Sequence, residues 1–291
     1  MTFESVHLAQ LSAEESASVS RLIASGASIP AQPRVLNELQ QSVARGVDDV
    51  RALARILAKD PGIVAMLFKV AQSAAFRRFQ PFASVEHIMQ VIGVVQTLNL
   101  VRAIALATAL PAGKNQKAFE SYWARSQAVS ALAMLIAEEH SRVCKIAPDQ
   151  ACLAGIFHDC GVPLLMQRYP DYCQSIGIDR SGGWPTLNVE DARCDADHCV
   201  VGYLVARHWK LPDFICDAIR YHHDMRRAPD EAARRMVAIL QLAFEIYYRE
   251  ERISNPEWAL VGDDVLDELD LSEDVLSELV DVVVDRYSVS A

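Results

Sequence analysis

Leu53-Ala-Arg-Ile56-Leu57-Ala-Lys-Asp60-Pro61-Gly-Ile63-Val-Ala-Met-Leu67-Phe-Lys-Val70-Ala71 is the stretch whose reading decides the class of fold. Leu53, Ile56 and Leu57 recur at helical spacing, and Ile63, Leu67, Val70 and Ala71 do so again after a break. The break is itself a helix start, with Asp60 placed to cap and Pro61 at the first helical position, where its missing N–H costs nothing. Two helices abut here with no period-two alternation between them.

The same grammar continues in both directions. Upstream, Val35, Leu36, Leu39 and Val43 form an apolar stripe after Ile29–Pro33, and Asp48 is placed to cap the helix carrying Leu53. Before that, residues 1–28 are polar and rich in Ser and Ala, with a short helix expected over Ser12–Ala24. Downstream, Ser84 caps a helix through Val85, Ile88, Val91 and Ile92, Gly93 breaks it, and Val94–Leu110 follows as another. Pro111–Gln116 reads as a boundary. Helices are then expected over Phe119–Glu139, Ala151–Arg168, Asp197–Trp209, Asp213–His223 and Glu231–Arg249, with Pro170–Glu190 irregular.

From residue 250 onward the chain is acidic, yet Val265, Leu266, Leu269, Val275 and Leu279 are interleaved with the charges. That pattern predicts folded amphipathic helices over 255–285, packing through Trp258, Leu266, Leu269, Val275 and Leu279. The fold class expected is all-α. The expected segments are an N-terminal piece (1–28), a first helical lobe (29–110), a second (117–250) and an acidic helical extension (251–291).

Composition narrows the function classes. A net charge of −10 disfavours a nucleic-acid binder that needs a broad basic surface. The densest basic cluster, Arg226, Arg227, Arg234 and Arg235, reads as a solvated helix face and loop. The Asp60-Pro61 helix pair resembles a helix-turn-helix only superficially, since its second helix offers Lys69 alone to a phosphate. Seven cysteines without C-x-x-C spacing argue against a disulfide framework or zinc knuckle. No secretory signal or membrane-length apolar run is seen, so a reduced, cytoplasmic protein is expected. No phosphate-binding glycine loop occurs.

The chemistry concentrates in Leu153-Ala-Gly-Ile-Phe157-His158-Asp159-Cys160-Gly161. A His-Asp pair inside an apolar helix costs several kcal/mol unless its polar atoms find partners. Imidazole and carboxylate both ligate divalent metals, so a metal site is one reading. A hydrogen-bonded core histidine beside an aspartate is the other. Cys160 beside His158 reads as a buried neutral thiol rather than a nucleophile. His198 on a later helix, and His222-His223 at the end of the next, add further imidazoles. Taken singly, His198 reads as a first-turn residue and His222-His223 as a helix C-terminus. Taken together and in order, they point to one pocket.

That order resembles the HD superfamily, whose active members are metal-dependent phosphohydrolases and phosphodiesterases. The chain is most similar to its HDOD branch, the HD-related output domain of bacterial signalling proteins. The resemblance is carried first by Ile29-Pro30-Ala-Gln-Pro33, Leu57-Ala-Lys-Asp60-Pro61, Ala71-Gln-Ser-Ala-Ala-Phe76, Ser84-Val85-Glu-His-Ile88 and Ile92-Gly93. It continues through Phe157-His158-Asp159-Cys-Gly161, His198-Cys-Val-Val-Gly202, Trp209-Lys-Leu-Pro212 and Ala218-Ile-Arg-Tyr-His222-His223. It implies an N-terminal helical lobe packed on a degenerate HD-type lobe. It also implies a regulatory, non-catalytic role exercised through protein partners in bacterial signalling. From the charge and the lack of a membrane-length apolar run, neither nucleic acid nor membrane is expected as a partner, and a small ligand is a further expected input.

The departures from the active pattern bear on activity. Arg125 stands where active relatives carry an upstream histidine ligand, and a guanidinium has no lone pair to give. Val162 replaces the lysine common after the motif glycine, and Phe244 stands near an expected late aspartate, with Glu245 beside it. The expectation is a vestigial pocket of Arg125, His158, Asp159, His198, His222 and His223, in which Arg125 pairs with Asp159. No cofactor is expected; the alternative is a divalent metal on His158, Asp159, His198 and His222, and with it a metal-dependent phosphohydrolase.

Overall fold

The computed structural model describes residues 11–24, 26, 29–71, 82–109, 115–176, 178 and 184–290. Residues 72–76 of the Ala71–Phe76 motif, residues 111–114 of the expected boundary and the glycines 177, 182 and 183 lie outside them. The described residues are all-α, without a strand. They divide into a larger unit (1–30 and 110–280) and a smaller one (31–109 and 281–291).

Helix α1 (Ala13–Ala24) belongs to the larger unit. The smaller unit contains α2 (Arg34–Ala44), α3 (Val50–Leu57), α4 (Pro61–Ala71), α5 (Val85–Ile92) and α6 (Val94–Ala109). The punctuation read from the sequence is visible as hydrogen bonds. Asp60 Oδ1 accepts from Ile63 N at 3.1 Å, and Ser84 Oγ accepts from His87 N at 3.1 Å. The cap of α3 is Asp49, not Asp48: its carboxylate accepts from Arg51 N at 3.0 Å. Gly93, at φ 97°, takes the left-handed turn that separates α5 from α6. The stripes converge on a core in which Leu36, Leu39, Leu53, Leu57, Leu67 and Ile88 are fully buried. Each such side chain stabilises the fold by about 1.5–3 kcal/mol. No single helix among the described residues is long and apolar enough to cross a membrane; α5 and α6 meet that test jointly but are bent by 118°.

The larger unit is built on α7 (Gln116–Glu139), followed by α8 (Ser141–Cys144), α9 (Pro148–Phe157), α10 (Val162–Arg168) and α11 (Tyr172–Ile176). Then come α12 (Leu187–Arg193), α13 (His198–His208), α14 (Asp213–Tyr221), α15 (Glu231–Glu250), α16 (Trp258–Glu268) and α17 (Glu273–Ser290), the last of which runs into the smaller unit's residues.

Two expectations need correction. Ala151–Arg168 is not one helix: His158–Gly161 forms a turn between α9 and α10, closed by Cys160 N→Phe157 O (2.9 Å) and Val162 N→Asp159 O (2.9 Å). Pro163 at the second position of α10 cannot continue an incoming helical ladder. Nor is Pro170–Glu190 wholly irregular, since it holds α11 and most of α12.

Glycines allow the close approaches that place this turn. A methyl group at Gly155 would stand 2.5 Å from Ser130 Cα, so α9 crosses α7 backbone to backbone. At Gly161 it would stand 2.1 Å from His198 O and 2.8 Å from Gly202 N, so the turn lies directly on α13.

The acidic end is helical. Leu269 and Leu279 are buried, Trp258 and Leu266 partly so, but Val275 is 43% exposed and does not pack as expected. His140 Nε2 lies 2.6 Å from Leu269 O. The basic cluster is not merely solvated: Arg226 pairs with Asp264 (2.7 Å), and Arg234 and Arg235 approach Glu268 (3.2 and 3.7 Å). Such partly exposed pairs contribute up to about 1 kcal/mol each, so they orient α16 more than they hold it.

Candidate functional site

Four histidines reach one centre from three places in the chain. His158 and Asp159 occupy the turn after α9, His198 is the first residue of α13, and His222-His223 follow α14. His158, Asp159, His198 and His222 are at most 1% exposed. Both members of the His222-His223 pair reach the centre. His158 Nε2 lies 2.8 Å from Asp159 Oδ2, while His222 Nε2 and His198 Nε2 lie 3.2 and 3.4 Å from Asp159 Oδ1. His223 Nε2 lies 3.1 Å from His198 Nε2.

The other nitrogen of every ring is spoken for. His158 Nδ1 is 2.7 Å from Gly155 O, and His222 Nδ1 is 2.7 Å from Ile219 O, each the carbonyl three residues back at a helix end. His198 Nδ1 is 2.5 Å from Glu190 Oε2, and His223 Nδ1 is 2.7 Å from Glu257 Oε1. Carbonyls and carboxylates can only accept, so each Nδ1 carries the proton. Each neutral ring therefore turns a lone pair on Nε2 toward the centre. Acceptors face acceptors there, around the Asp159 carboxylate.

The hydrogen-bond geometry agrees. His158 Nε2 and Asp159 Oδ1 stand within ion-pair distance of their neighbours yet have no aligned hydrogen bond. Such a set requires extra protons or a shared cation. The protonation preferences follow. Burial pushes the Asp159 carboxyl up, but the surrounding imidazoles outweigh it and hold it well below its usual range. Burial lowers His222, and Cys199 and Asp159 reverse this and raise it to about 10. His198 is likewise raised, against burial, by Cys199 and Glu190. His223, buried and facing His222, is lowered to about 4, and burial lowers His158.

The donors fit a divalent cation. Tautomers are fixed by acceptors behind the rings, two of them the carboxylates of Glu190 and Glu257, as in known metal sites. His198, Cys199, His222 and His223 offer ligand atoms within 4.8 Å of one another.

Arg125 lines the cavity beside the centre, but not through the pairing expected for it. Among the described residues it has no ion pair with Asp159. Its guanidinium lies 4.4 Å above the Trp184 ring, with Tyr248 and Phe244 at 5.3 and 5.7 Å, and Nη1 donates to Tyr248 Oη at 3.2 Å. Aromatic faces offset the buried charge in place of a carboxylate. Trp184 stands between: it stacks on Tyr122 (6.3 Å, 9°) and its indole N–H donates to Asp159 Oδ2 at 2.6 Å. Phe244 covers the remaining side, 4.9 Å from His158 and 6.1 Å from His222. Glu245 does not reach in; it pairs with Arg249 at 2.6 Å. Cys160 bonds Gly202 O at 3.5 Å, and burial pushes its thiol well up, which suits a structural thiol.

A cavity of about 290 Å³ adjoins the centre, lined among others by Arg125, Trp184, His223, Tyr248 and Glu257. Sequence reasoning missed Glu190, Trp184, Cys199 and Glu257. Glu190 is fully buried and also accepts from Tyr172 Oη, but a glutamate eight residues before a histidine carries no signal. Cys199 had one available: it adjoins His198.

An all-helical body with an HD-type turn buried among histidines defines a relative of the HD proteins. Residues 29–225 match the HDOD domain, and the chain belongs to that family. An uncharacterised protein of Treponema pallidum (strain Nichols) is 22% identical over 204 residues; the match spans 70% of this chain and 39% of that protein. An HDOD domain protein of unknown function from Geobacter sulfurreducens superposes with a TM-score of 0.70 at 22% identity, covering 95% of this chain and 97% of that one. A provisionally named signal transduction protein of Marinobacter aquaeolei VT8 gives 0.73 at 20% identity (98% and 66% covered). A provisionally named phosphohydrolase of Shewanella amazonensis SB2B gives 0.68 at 19% (96% and 97%). Likeness at these identities speaks to the fold.

Proposed function

We propose that this protein is a non-catalytic signal-transduction module that acts through protein partners, with its HD-type centre retained as a closed structural core. One observation carries the reading: the carboxylate of the His-Asp pair is sealed. Trp184 donates to Asp159 Oδ2, Phe244 lies against His158 and His222, and Arg125 backs the indole. A hydrolytic metal needs an open position for water beside its ligands, and His158 and Asp159 are at most 1% exposed, with Trp184 and Phe244 against them. A cation bound by these residues would supply charge neutralisation and cross-link α13 to the end of α14.

The second reading is a metal-dependent phosphohydrolase. It is favoured by His223, which belongs to the histidine set and also lines the cavity. Asp159→Ala separates the two. On our reading it strands the His222 and His198 charges and costs about 3–5 kcal/mol, as breaking a buried ion pair does, with no turnover to lose. An active parent whose Asp159→Ala variant keeps its melting temperature but loses metal and phosphodiester turnover would overturn it.

A further inference from the structure

We infer that the cavity beside the histidine centre is a recognition site for a small organic monocarboxylate, its carboxylate held by Arg125 and its apolar body lying against Phe244, Ile253 and Pro256. The inference rests on the non-catalytic reading above in one respect: it takes this cavity for a sensing pocket and not for a substrate pocket.

Arg125 is the first support. It is only 8% exposed and lines the cavity. A guanidinium carries five N–H donors and a permanent charge. Among the described residues Arg125 makes one hydrogen bond, from Nη1 to Tyr248 Oη at 3.2 Å, and no ion pair, and its Nε has no acceptor. The rings of Trp184, Tyr248 and Phe244 lie 4.4, 5.3 and 5.7 Å from the charge, but ring faces do not replace oxygen acceptors for its N–H groups. A planar carboxylate matches this fork at two points.

Further donors belong to the same cavity. Tyr248 Oη accepts from Arg125 and keeps its own O–H to donate. Asn255 Oδ1 accepts from Glu257 N at 3.1 Å, which fixes the amide, and its Nδ2 is buried without a partner. Buried donors are seldom left unmade, and Arg125, Tyr248 and Asn255 all line this cavity.

Charge and size set the ligand class. The other carboxylate or cation on the lining is Glu257, which holds His223 Nδ1 at 2.7 Å, while His223 Nε2 faces His198 at 3.1 Å. One fixed positive charge beside one carboxylate accommodates a single negative charge, and a second would face Glu257 unpaired. The volume of about 290 Å³ lies at the lower limit of ligand cavities, which run from about 300 to 1,000 Å³. That is too small for a cyclic dinucleotide. Pro185, Phe244, Ile253 and Pro256 supply apolar carbon, so the rest of the ligand is hydrocarbon or aromatic rather than sugar.

The test is calorimetric titration of the full-length protein with benzoate, phenylacetate and hexanoate, beside benzamide, inorganic phosphate and a cyclic dinucleotide. Carboxylate should bind at one site per chain. Benzamide should bind about 10–100-fold more weakly than benzoate, the worth of hydrogen bonds to a charged group, and phosphate and the dinucleotide not measurably. Asn255→Asp keeps the acceptor for Glu257 N and adds a like charge to the lining. It should weaken carboxylate binding at least about tenfold at an unchanged melting temperature. Arg125→Gln should abolish binding; where that variant does not fold, Asn255→Asp decides alone. No binding of any of the three carboxylates, benzamide binding as tightly as benzoate, or unaltered binding in Asn255→Asp would overturn the inference. Phosphodiester turnover by a parent that binds carboxylate in this way would overturn the non-catalytic reading alone; an inactive parent that binds none would overturn this inference alone.

Discussion

Trp184 reaches Asp159 with its indole N–H at 2.6 Å, and in doing so engages Oδ2 while Oδ1 faces His198 and His222. The same ring carries the Arg125 guanidinium at 4.4 Å. The positive charge and the negative charge are thus connected through one aromatic side chain rather than by a salt bridge.

Trp184→Phe separates these two duties. It keeps an aromatic face for Arg125 and removes the N–H from a buried carboxylate. A hydrogen bond to a charged group is worth about 1.5–3 kcal/mol, and urea unfolding should show a loss of that order. Trp184→Ala should lose more, because Arg125 then also loses its stacking surface. An unchanged midpoint in Trp184→Phe would show that the bond contributes nothing.

Glu190→Gln addresses tautomer control. Glu190 accepts from His198 Nδ1, from His198 N at 3.0 Å and from Tyr172 Oη. The amide can present its NH₂ to His198 and so favour the tautomer whose Nε2 carries the proton. Removing the carboxylate's charge should also lower the His198 imidazole from its raised value, read by NMR pH titration of its ring protons. An unchanged titration in the variant would detach Glu190 from the centre.

Gly161→Ala tests the seat of the His-Asp turn. Its methyl would meet His198 O at 2.1 Å, a contact that backbone cannot avoid by rotating a side chain. Overpacking of a rigid contact costs about 1–3 kcal/mol or more, and here it separates the turn from α13. Melting temperature should drop sharply. A variant as stable as the parent would contradict the packing described.

A pH test lies away from the centre. Glu15 on α1 pairs with the nearly buried Arg220 of α14. Burial raises the Glu15 carboxyl, but the Ser12 hydrogen bonds and Arg220 outweigh it, so its value is below the ordinary 4.5. A carboxylate depressed on folding contributes stability that is present above its unfolded value and lost as pH falls through the folded one. Glu15→Gln should therefore cost stability at neutral pH, and the difference from the parent should shrink below about pH 4.5. A difference that is constant from pH 7 to 3 would assign the effect to shape alone.

Much of the fold was legible because it is written in local signals. Asp60-Pro61, Ser84 and Gly93 punctuate helices through their own backbone chemistry, and each does so in the structure. The break at His158–Gly161 was not legible, because the apolar pattern runs through it unbroken; what decides it is the contact of Gly161 with His198, a residue far along the sequence but adjacent in space. The histidines were readable as a set from their order. Their acceptors were not, since Glu190 and Glu257 resemble any other acidic residue until the chain folds. Arg125 was misjudged for a related reason: charge complementarity suggested Asp159, whereas the cage of Trp184, Phe244, Tyr247 and Tyr248 is assembled from two distant segments.

If the proposed function is right, this HD-type centre is closed to hydrolysis. Its most direct test is turnover by the purified chain loaded in turn with zinc, manganese and iron(II), using a generic phosphodiester, nucleoside monophosphates and a cyclic dinucleotide as substrates. We predict no turnover above the metal-only blank for any pairing. Hydrolysis that depends on bound metal and disappears in Asp159→Asn would contradict the claim.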